Sequence, residues 1–386
     1  MKHLATIWSG LLVCSCVVPM ASAANVLKPV SLPFADGKLV GASFSPDSSR
    51  LAIIRTVAAP GGGQRHVLQI VEMKSGLELT EADVLTDEPV DLAMNAHLIS
   101  YSSDGRYLLV AARGSDVLSI LDAATLRTLK RVALHPETDS RITLGEGHRY
   151  FRGVISLTAS AKGNVFGVLT HDELQGNEAF VGSFSSGQSI KGWSLGKGRV
   201  ASQLRQTSLS LNQDGSNAVV SVLPDENRLP KAFNNLRLYN SRTGKMMTSV
   251  RTKGLIGQVM LLSGNSVLAA SIDTPSLLSK NICIEKWNLS SGKLGGQFCD
   301  GGRNVSATLS AAPSADRVVG FASQIHKSIE GQVYTASGRL DVWDMRSGNL
   351  VASSDEIPHF VSSVQISANG EWVLADQVLL QLNATR

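Results

Sequence analysis

The chain has 386 residues, 43% of them hydrophobic and 18% charged, a balance that supports a buried core and excludes an intrinsically disordered protein. Lys and Arg number 36 against 32 Asp and Glu, with no block of like charge, so the electrostatics give no reason to expect nucleic acid or an anionic membrane as partner.

The first element in chain order is a leader. Met1-Lys2-His3 is positively charged, "LATIWSGLLVCSCVVPM" is an apolar run broken only by small polar residues, and Ala21-Ser22-Ala23 has the small-x-small form that signal peptidase accepts. Residues 1–23 therefore read as a cleaved secretory signal peptide. A retained anchor and a lipoprotein attached at Cys16 are the rival readings; Pro19 and the small residues from Ala21 favour cleavage, and Cys14 is an odd residue for a lipobox. No later stretch reaches the roughly 18 apolar residues that cross a bilayer. The mature chain, residues 24–386, is thus expected to be one domain, periplasmic or secreted, with no transmembrane segment.

"NVLKPVSLPF" follows and reads as a strand. From there a tight turn of the form Ser/Ala-x-Asp/Gly between short apolar runs recurs, as in "SPDSSRLAII", "SSDGRYLLV", "NQDGSNAVV" and "SANGEWVLA". Aligned at Ser48, Gly105, Gly163, Gly215, Gly264, Asp316 and Gly370, the seven copies lie 49 to 58 residues apart. A second turn interleaves with the first, its Gly column at Gly76, Gly187, Gly244, Gly292 and Gly348, with Leu126 in the second unit. Each unit reads strand, tight turn, strand, longer loop, strand, tight turn, strand. The apolar stretches are short, bounded by Gly, Asn, Asp and Ser, and lack helical periodicity, which excludes a helical solenoid. The expected fold is all-β: a seven-bladed β-propeller of four-stranded antiparallel blades, which protects sheet edges by radial repetition. The last unit, "VSSVQISANGEWVLADQVLLQLN", supplies three strands, so the N-terminal strand is expected to join it and close the ring.

The longer segments, "RTVAAPGGGQRH", "THDELQGNE", "SVLPDENRLPKAFNN", "SIDTPSLLSKN" and "ASQIHKSIEGQVYTASG", all fall between second and third strands, and "ALHPETDSRITLGEGHRYF" joins two units on that same side. One face is therefore expected to be plain and the other to carry binding residues on loops. Its polar candidates are His66, His148, His171, Asp172, Glu173, Asp225, Glu226, Arg228, His326 and Lys327. His171-Asp172-Glu173 offers metal-ligand types, but a lone tripeptide on a loop is as a rule solvated, and no metal or cofactor is expected. Haem-attachment, nucleophile-elbow and phosphate-loop motifs are missing.

Once the leader is removed, Cys283 and Cys299 are the remaining cysteines. If Ser290-Ser291-Gly292 is a three-residue hairpin loop with Gly292 left-handed, Leu289 faces Lys293, the paired numbers sum to 582, and the two cysteines lie opposite each other. Such pairs have Cα atoms about 4.5 to 5.5 Å apart, which suits a disulfide. Two packed, reduced thiols are the other reading.

"DGRYLLVAARGSDVLSILDAATLRTLKRV", Asp104 to Val132, resembles the repeat of exported bacterial propellers with a Tyr-Val-Thr-Asn signature, a group that includes relatives of amine dehydrogenase heavy chains. "VWDMRSGNLV" and "HFVSSVQISANGEWVL" resemble WD repeats, and "ASFSPDSSRLAII" is similar to a TolB-type blade. Trp287 and Trp343 hold the WD-repeat Trp column, which Tyr239, Leu121 and Val71 occupy in other units. The resemblance implies the propeller architecture; the loops gathered on one face and the missing catalytic motifs give the expectation of a monomeric propeller that binds an unidentified protein or peptide through that face without catalysis. The alternative it leaves open is a small-ligand binder or enzyme using the central opening, as in amine dehydrogenase heavy chains or propeller lactonases.

Overall fold

A computed structural model describes residues 25–32, 37–59, 61–75, 78–83, 97–134, 143–144, 148–149, 152–172, 176–185, 189–196, 208–221, 235–252, 256–271, 283–300, 303–327, 333–359, 361 and 363–382. The expected leader, residues 1–23, lies outside them, as do Gly76 and Gly187 of the second turn column. The described chain is all-β, with no α-helix among those residues.

Five separate four-stranded antiparallel sheets form from consecutive strands. The first holds β2 (Lys38–Phe44), β3 (Arg50–Ala58), β4 (Gln64–Glu72) and β5 (Glu78–Asp83), and the second β6 (His97–Tyr101), β7 (Tyr107–Ala112), β8 (Val117–Asp122) and β9 (Thr128–Ala133). After a small hairpin of β10 (Thr143–Leu144) and β11 (His148–Arg149), the third holds β12 (Arg152–Ala159), β13 (Val165–Asp172), β14 (Gly176–Ser183) and β15 (Ser189–Gly196). The fourth comprises β16 (Leu209–Leu211), β17 (Asn217–Ser221), β18 (Leu236–Asn240) and β19 (Met246–Val250), and the fifth β20 (Ile256–Leu261), β21 (Ser266–Ser271), β22 (Ile284–Asn288) and β23 (Lys293–Phe298).

The remaining strands do not make two further separate sheets, as the sequence led us to expect. They are β1 (Asn25–Val30), β24 (Asn304–Ala312), β25 (Arg317–Lys327), β26 (Val333–Asp344), β27 (Leu350–Ser353), β28 (Val364–Ile366), β29 (Trp372–Ala375) and β30 (Val378–Leu382). They form one eight-stranded sheet in the order β24-β25-β26-β27-β1-β30-β29-β28. The join is β1. It pairs antiparallel with β30 from Leu27↔Leu382 to Val30↔Leu379, and parallel with β27 through Asn25↔Ala352 and Val26↔Ser353. The N-terminal strand thus reaches the last unit, as expected, and also bonds to the unit before it.

The turn residues explain why the chain reverses where it does. Ser45, Ser102, Ser160, Asn212 and Ser367 each present a side-chain oxygen to the backbone N–H five residues on, at 2.9 to 3.2 Å, closing the first turn of a unit. In the second turn, Oδ1 of Asp122, Asn240, Asn288 and Asp344 accepts backbone N–H groups two or three residues ahead. Leu126, Gly244, Gly292 and Gly348 then take left-handed φ values of 56° to 75°. In the third unit the left-handed residue is Asn164, one position beyond the aligned Gly163; glycine is required at 163 for room, since a Cβ there would lie 2.2 Å from the Asp214 carbonyl oxygen.

Hydrophobic clusters lie between neighbouring sheets. Leu68, Ile70, Leu108 and Val110 join the first and second, and Phe321, Leu340, Val373 and Leu380 join the two halves of the large sheet. Leu51, Ile53, Trp372 and Leu379 pack the β28–β30 half against the first sheet. The first strands of successive units are also stitched by side chains. Ser43 Oγ accepts the Tyr101 N–H at 3.3 Å, Ser156 Oγ that of Leu209 at 3.4 Å, Ser208 and Ser210 Oγ those of Val259 and Leu261 at 2.8 and 2.9 Å, and Ser310 Oγ that of Ile366 at 3.1 Å. Gln258 Oε1 accepts from Leu309 at 2.8 Å, and Gln365 Nε2 donates to the Ala42 carbonyl at 2.6 Å. These bonds satisfy main-chain groups on strands that have no neighbour within their own sheet on that side. Ser210 is buried, so Ser210→Ala leaves the Leu261 N–H without its acceptor. Urea denaturation should show a loss of about 1 to 3 kcal/mol; a loss within experimental error would mean the stitches add nothing.

Candidate functional site

The turns at Ser45 and Ser102 and those at Asp122, Asn240 and Asp344 open at one end of the sheets; the connections between second and third strands open at the other. Two of those connections are not the loops the sequence led us to expect. β3 and β4 stay paired to Ala58↔Gln64, whereas β2 pairs only as far as Thr56 and β5 only as far as Val67. β25 and β26 stay paired to Lys327↔Val333, whereas β24 pairs only as far as Ser323. Each is a hairpin arm projecting past its own sheet. A register shift between Gln324 and Ile325 sits at the root of the second arm, where an irregularity changes the strand's direction. Between the units carrying the arms, β29 and β30 are joined by the short turn Ala375↔Val378, with Asp376 left-handed at φ 47°. The low turn lies between two raised arms.

The structure distributes the predicted polar residues unevenly. His66 lies at the root of the first arm opposite Thr56, whose Oγ1 is 3.2 Å from its Nδ1, and partial burial holds its imidazole below the usual histidine range. His326 and Lys327 lie near the tip of the second arm, paired with Tyr334 and Val333. His148 is on the small hairpin, paired with Leu144. His171 and Asp172 are not on a loop: β13 and β14 pair through Asp172↔Gly176, and the His171 ring is buried with Nδ1 2.8 Å from Asn177 Oδ1. Glu173, Asp225, Glu226 and Arg228 lie outside the described residues. Among the described residues, no group of three or more His, Cys, Asp or Glu side chains is arranged to hold a metal ion.

Cys283 and Cys299 form a disulfide with Cα atoms 4.7 Å apart. The expected register reaches this pair by a different route. Asn288, not Leu289, faces Lys293, so the turn begins one residue off; a register shift between Lys286 and Trp287 restores the expected sum by Lys286↔Gly296 and Ile284↔Phe298. The bond sits at the loop end of the fifth sheet. Immediately after it, Asp300 enters an ion network that sequence reading missed. Arg339 lies 3.2 Å from Asp300 and 3.0 Å from Asp341, while Arg303 lies 3.7 Å from Asp300 and 2.8 Å from Glu356. Ser353 Oγ donates to Asp341 at 2.6 Å, and Ser337 Oγ donates to Glu356 at 2.6 Å. Asp341 is fully buried, and the loss of water raises its carboxyl above the usual aspartate range. One signal was present in the sequence: Arg339, Asp341 and Trp343 share a strand face, so charge falls on a face that also carries a core tryptophan.

The turn end is not featureless. A groove of about 840 Å³ lies between the first sheet and the β28–β30 half, lined by Met73, Trp372 and Leu379 together with Asp47, Glu72 and Glu371. Its carboxylates already serve the turns: Asp47 accepts from Ser45 Oγ at 2.6 Å, which holds its carboxyl below the usual range, and Glu371 accepts from Asn369 at 2.8 Å. No described helix is long and apolar enough to cross a membrane. No protein-family model matches the chain, and no curated protein matches it.

Proposed function

We propose that the mature chain is an exported, monomeric, seven-bladed β-propeller of the WD-repeat or Tyr-Val-Thr-Asn type that binds a protein or peptide through its loop-rich face without catalysing a reaction. In this reading the eight-stranded sheet is two blades joined at β1, and residues 24–386 form one domain. Support for the ring comes from the clusters and stitches that run from each unit to the next and from the last to the first. The disulfide fits an oxidising compartment.

The observation that carries the binding reading is the pair of arms flanking a low turn. Strand hairpins present backbone and side chains in fixed geometry, so the arms lose less freedom on holding an extended segment between them than unpaired loops would. A native mass spectrum of the mature chain from its own exported fraction tests this. An added mass of protein or peptide size is expected; a small-molecule or metal adduct in its place would overturn the reading in favour of a ligand site at the central opening.

A further inference from the structure

We propose that the Cys283–Cys299 disulfide is a redox switch that sets the rigidity of the arm formed by β25 and β26. Cys283 is buried and Cys299 is exposed, so a dithiol would approach the bond from the Cys299 side. The last residue pair between β22 and β23 is Ile284↔Phe298. Beyond it, the disulfide is the covalent bond that fixes where Cys299 lies, and Asp300 is the next residue.

Asp300 reaches the root of the arm directly. It contacts Arg339 at 3.2 Å and Arg303 at 3.7 Å; Arg303 contacts Glu356 at 2.8 Å, and Glu356 accepts from Ser337 Oγ. Ser337 and Arg339 flank Gly338, where the arm leaves the sheet opposite Ser323. Gly338 is held there by two main-chain bonds with Ile357, of 3.0 and 2.6 Å. Its backbone passes so close to the strand beside it that a Cβ would come within 2.5 Å of the Phe321 ring and 2.6 Å of the Ala322 carbonyl oxygen. The root therefore has little room to shift while its flanking residues stay in place. The partly exposed ion pairs in this chain are individually weak and depend on pre-positioned partners. With the disulfide closed, Asp300 is delivered to Arg339; with it open, Asp300 is held by its ion pairs and by its main-chain bond from the Arg303 N–H at 3.3 Å.

The switching step is a thiol–disulfide exchange. The thiolate of a dithiol reductant attacks Cys299 Sγ, the S–S bond breaks, and Cys283 leaves as a thiolate that takes up a proton. The reductant's second thiolate then attacks the mixed disulfide and releases the Cys299 thiolate, which is protonated. The dithiol ends as its own disulfide. This proposal does not depend on what the arm binds.

Hydrogen exchange on the full mature chain, oxidised and after treatment with dithiothreitol, tests it without any partner. Reduction should speed amide exchange roughly tenfold across residues 300–303 and in the arm, residues 324–337, and leave the second and third sheets unchanged. Asp300→Ala, with the disulfide intact, should speed exchange in the arm in the same way. If reduction loosens only residues near Cys283 and Cys299 and the arm keeps its protection, the disulfide is a local staple and the proposal fails. It fails equally if Asp300→Ala leaves the arm unchanged. Both readouts use chains whose disulfide has formed during folding, so a Cys283→Ser, Cys299→Ser variant that did not fold would not affect the test.

Discussion

Leu27→Asp is expected to lower stability by about 4 kcal/mol in urea denaturation, the sum of a lost core side chain and a carboxylate that the site cannot solvate. Leu27 is 1% exposed and packs with Phe321, Leu340, Val373 and Leu380, at the seam between the two halves of the eight-stranded sheet. Its strand is the one that joins those halves. The neighbouring Val26 on the same strand is 51% exposed, so Val26→Asp should cost no more than about 0.5 kcal/mol. A small effect at Leu27 would mean that β1 lies on the sheet without holding it together.

Arg339→Ala is expected to cost about 3 to 5 kcal/mol at pH 7, because it strips the counter-charge from a fully buried Asp341. The pH dependence follows from the direction of the Asp341 shift. Its folded-state pKa lies above the unfolded value, so its favourable contribution is complete below the unfolded pKa and is lost as pH rises through the folded one. Removing Arg339 pushes the folded value higher still. The difference between variant and wild type should therefore be largest near neutrality and shrink as pH falls toward 4. Asp122, Asp344 and Glu356 shift the other way, chiefly through hydrogen bonds from the Thr125 backbone, the Ser347 backbone and the Ser337 hydroxyl, so their contributions are lost in acid and oppose the Asp341 trend. Comparing the two chains at each pH separates the opposing trends. A difference that grew in acid would show that Asp341 is not the group left unpaired.

The strand units were legible because their turns carry chemistry at fixed offsets. In five units Ser or Asn begins the first turn, and in four Asp or Asn begins the second with a left-handed residue ending it, and the side chains of these Ser, Asp and Asn residues accept main-chain hydrogen bonds in the structure. The cysteine pairing was legible for a related reason, since a hairpin transmits its register along both strands, although a one-residue bulge had to compensate for a turn that starts one residue early. The first arm has the look of a loop in the sequence because Gly61, Gly62 and Gly63 and the polar residues around them lack an apolar alternation. Main-chain pairing carries the strands past the core, where no such alternation is required. His171 was misplaced for the same reason: "HDE" reads as a solvated tripeptide until the Asp172↔Gly176 pairing draws the imidazole inside. The stitches are the least legible feature, because Ser210 finds Leu261 51 residues away and nothing local distinguishes it from any other strand serine.

Trimming the arms tests the proposed working face most directly. Residues 57–65 are replaced by Asn-Gly between Thr56 and His66, and residues 324–337 by Asn-Gly between Ser323 and Gly338, a two-residue turn suited to closing each hairpin at a pair already in register. Native mass spectra of the trimmed and full chains from the same exported fraction are then compared. The trimmed chain is expected to remain folded and to lose the protein-sized or peptide-sized adduct carried by the full chain. Retention of that adduct by a folded, trimmed chain would contradict the assignment of binding to the arms.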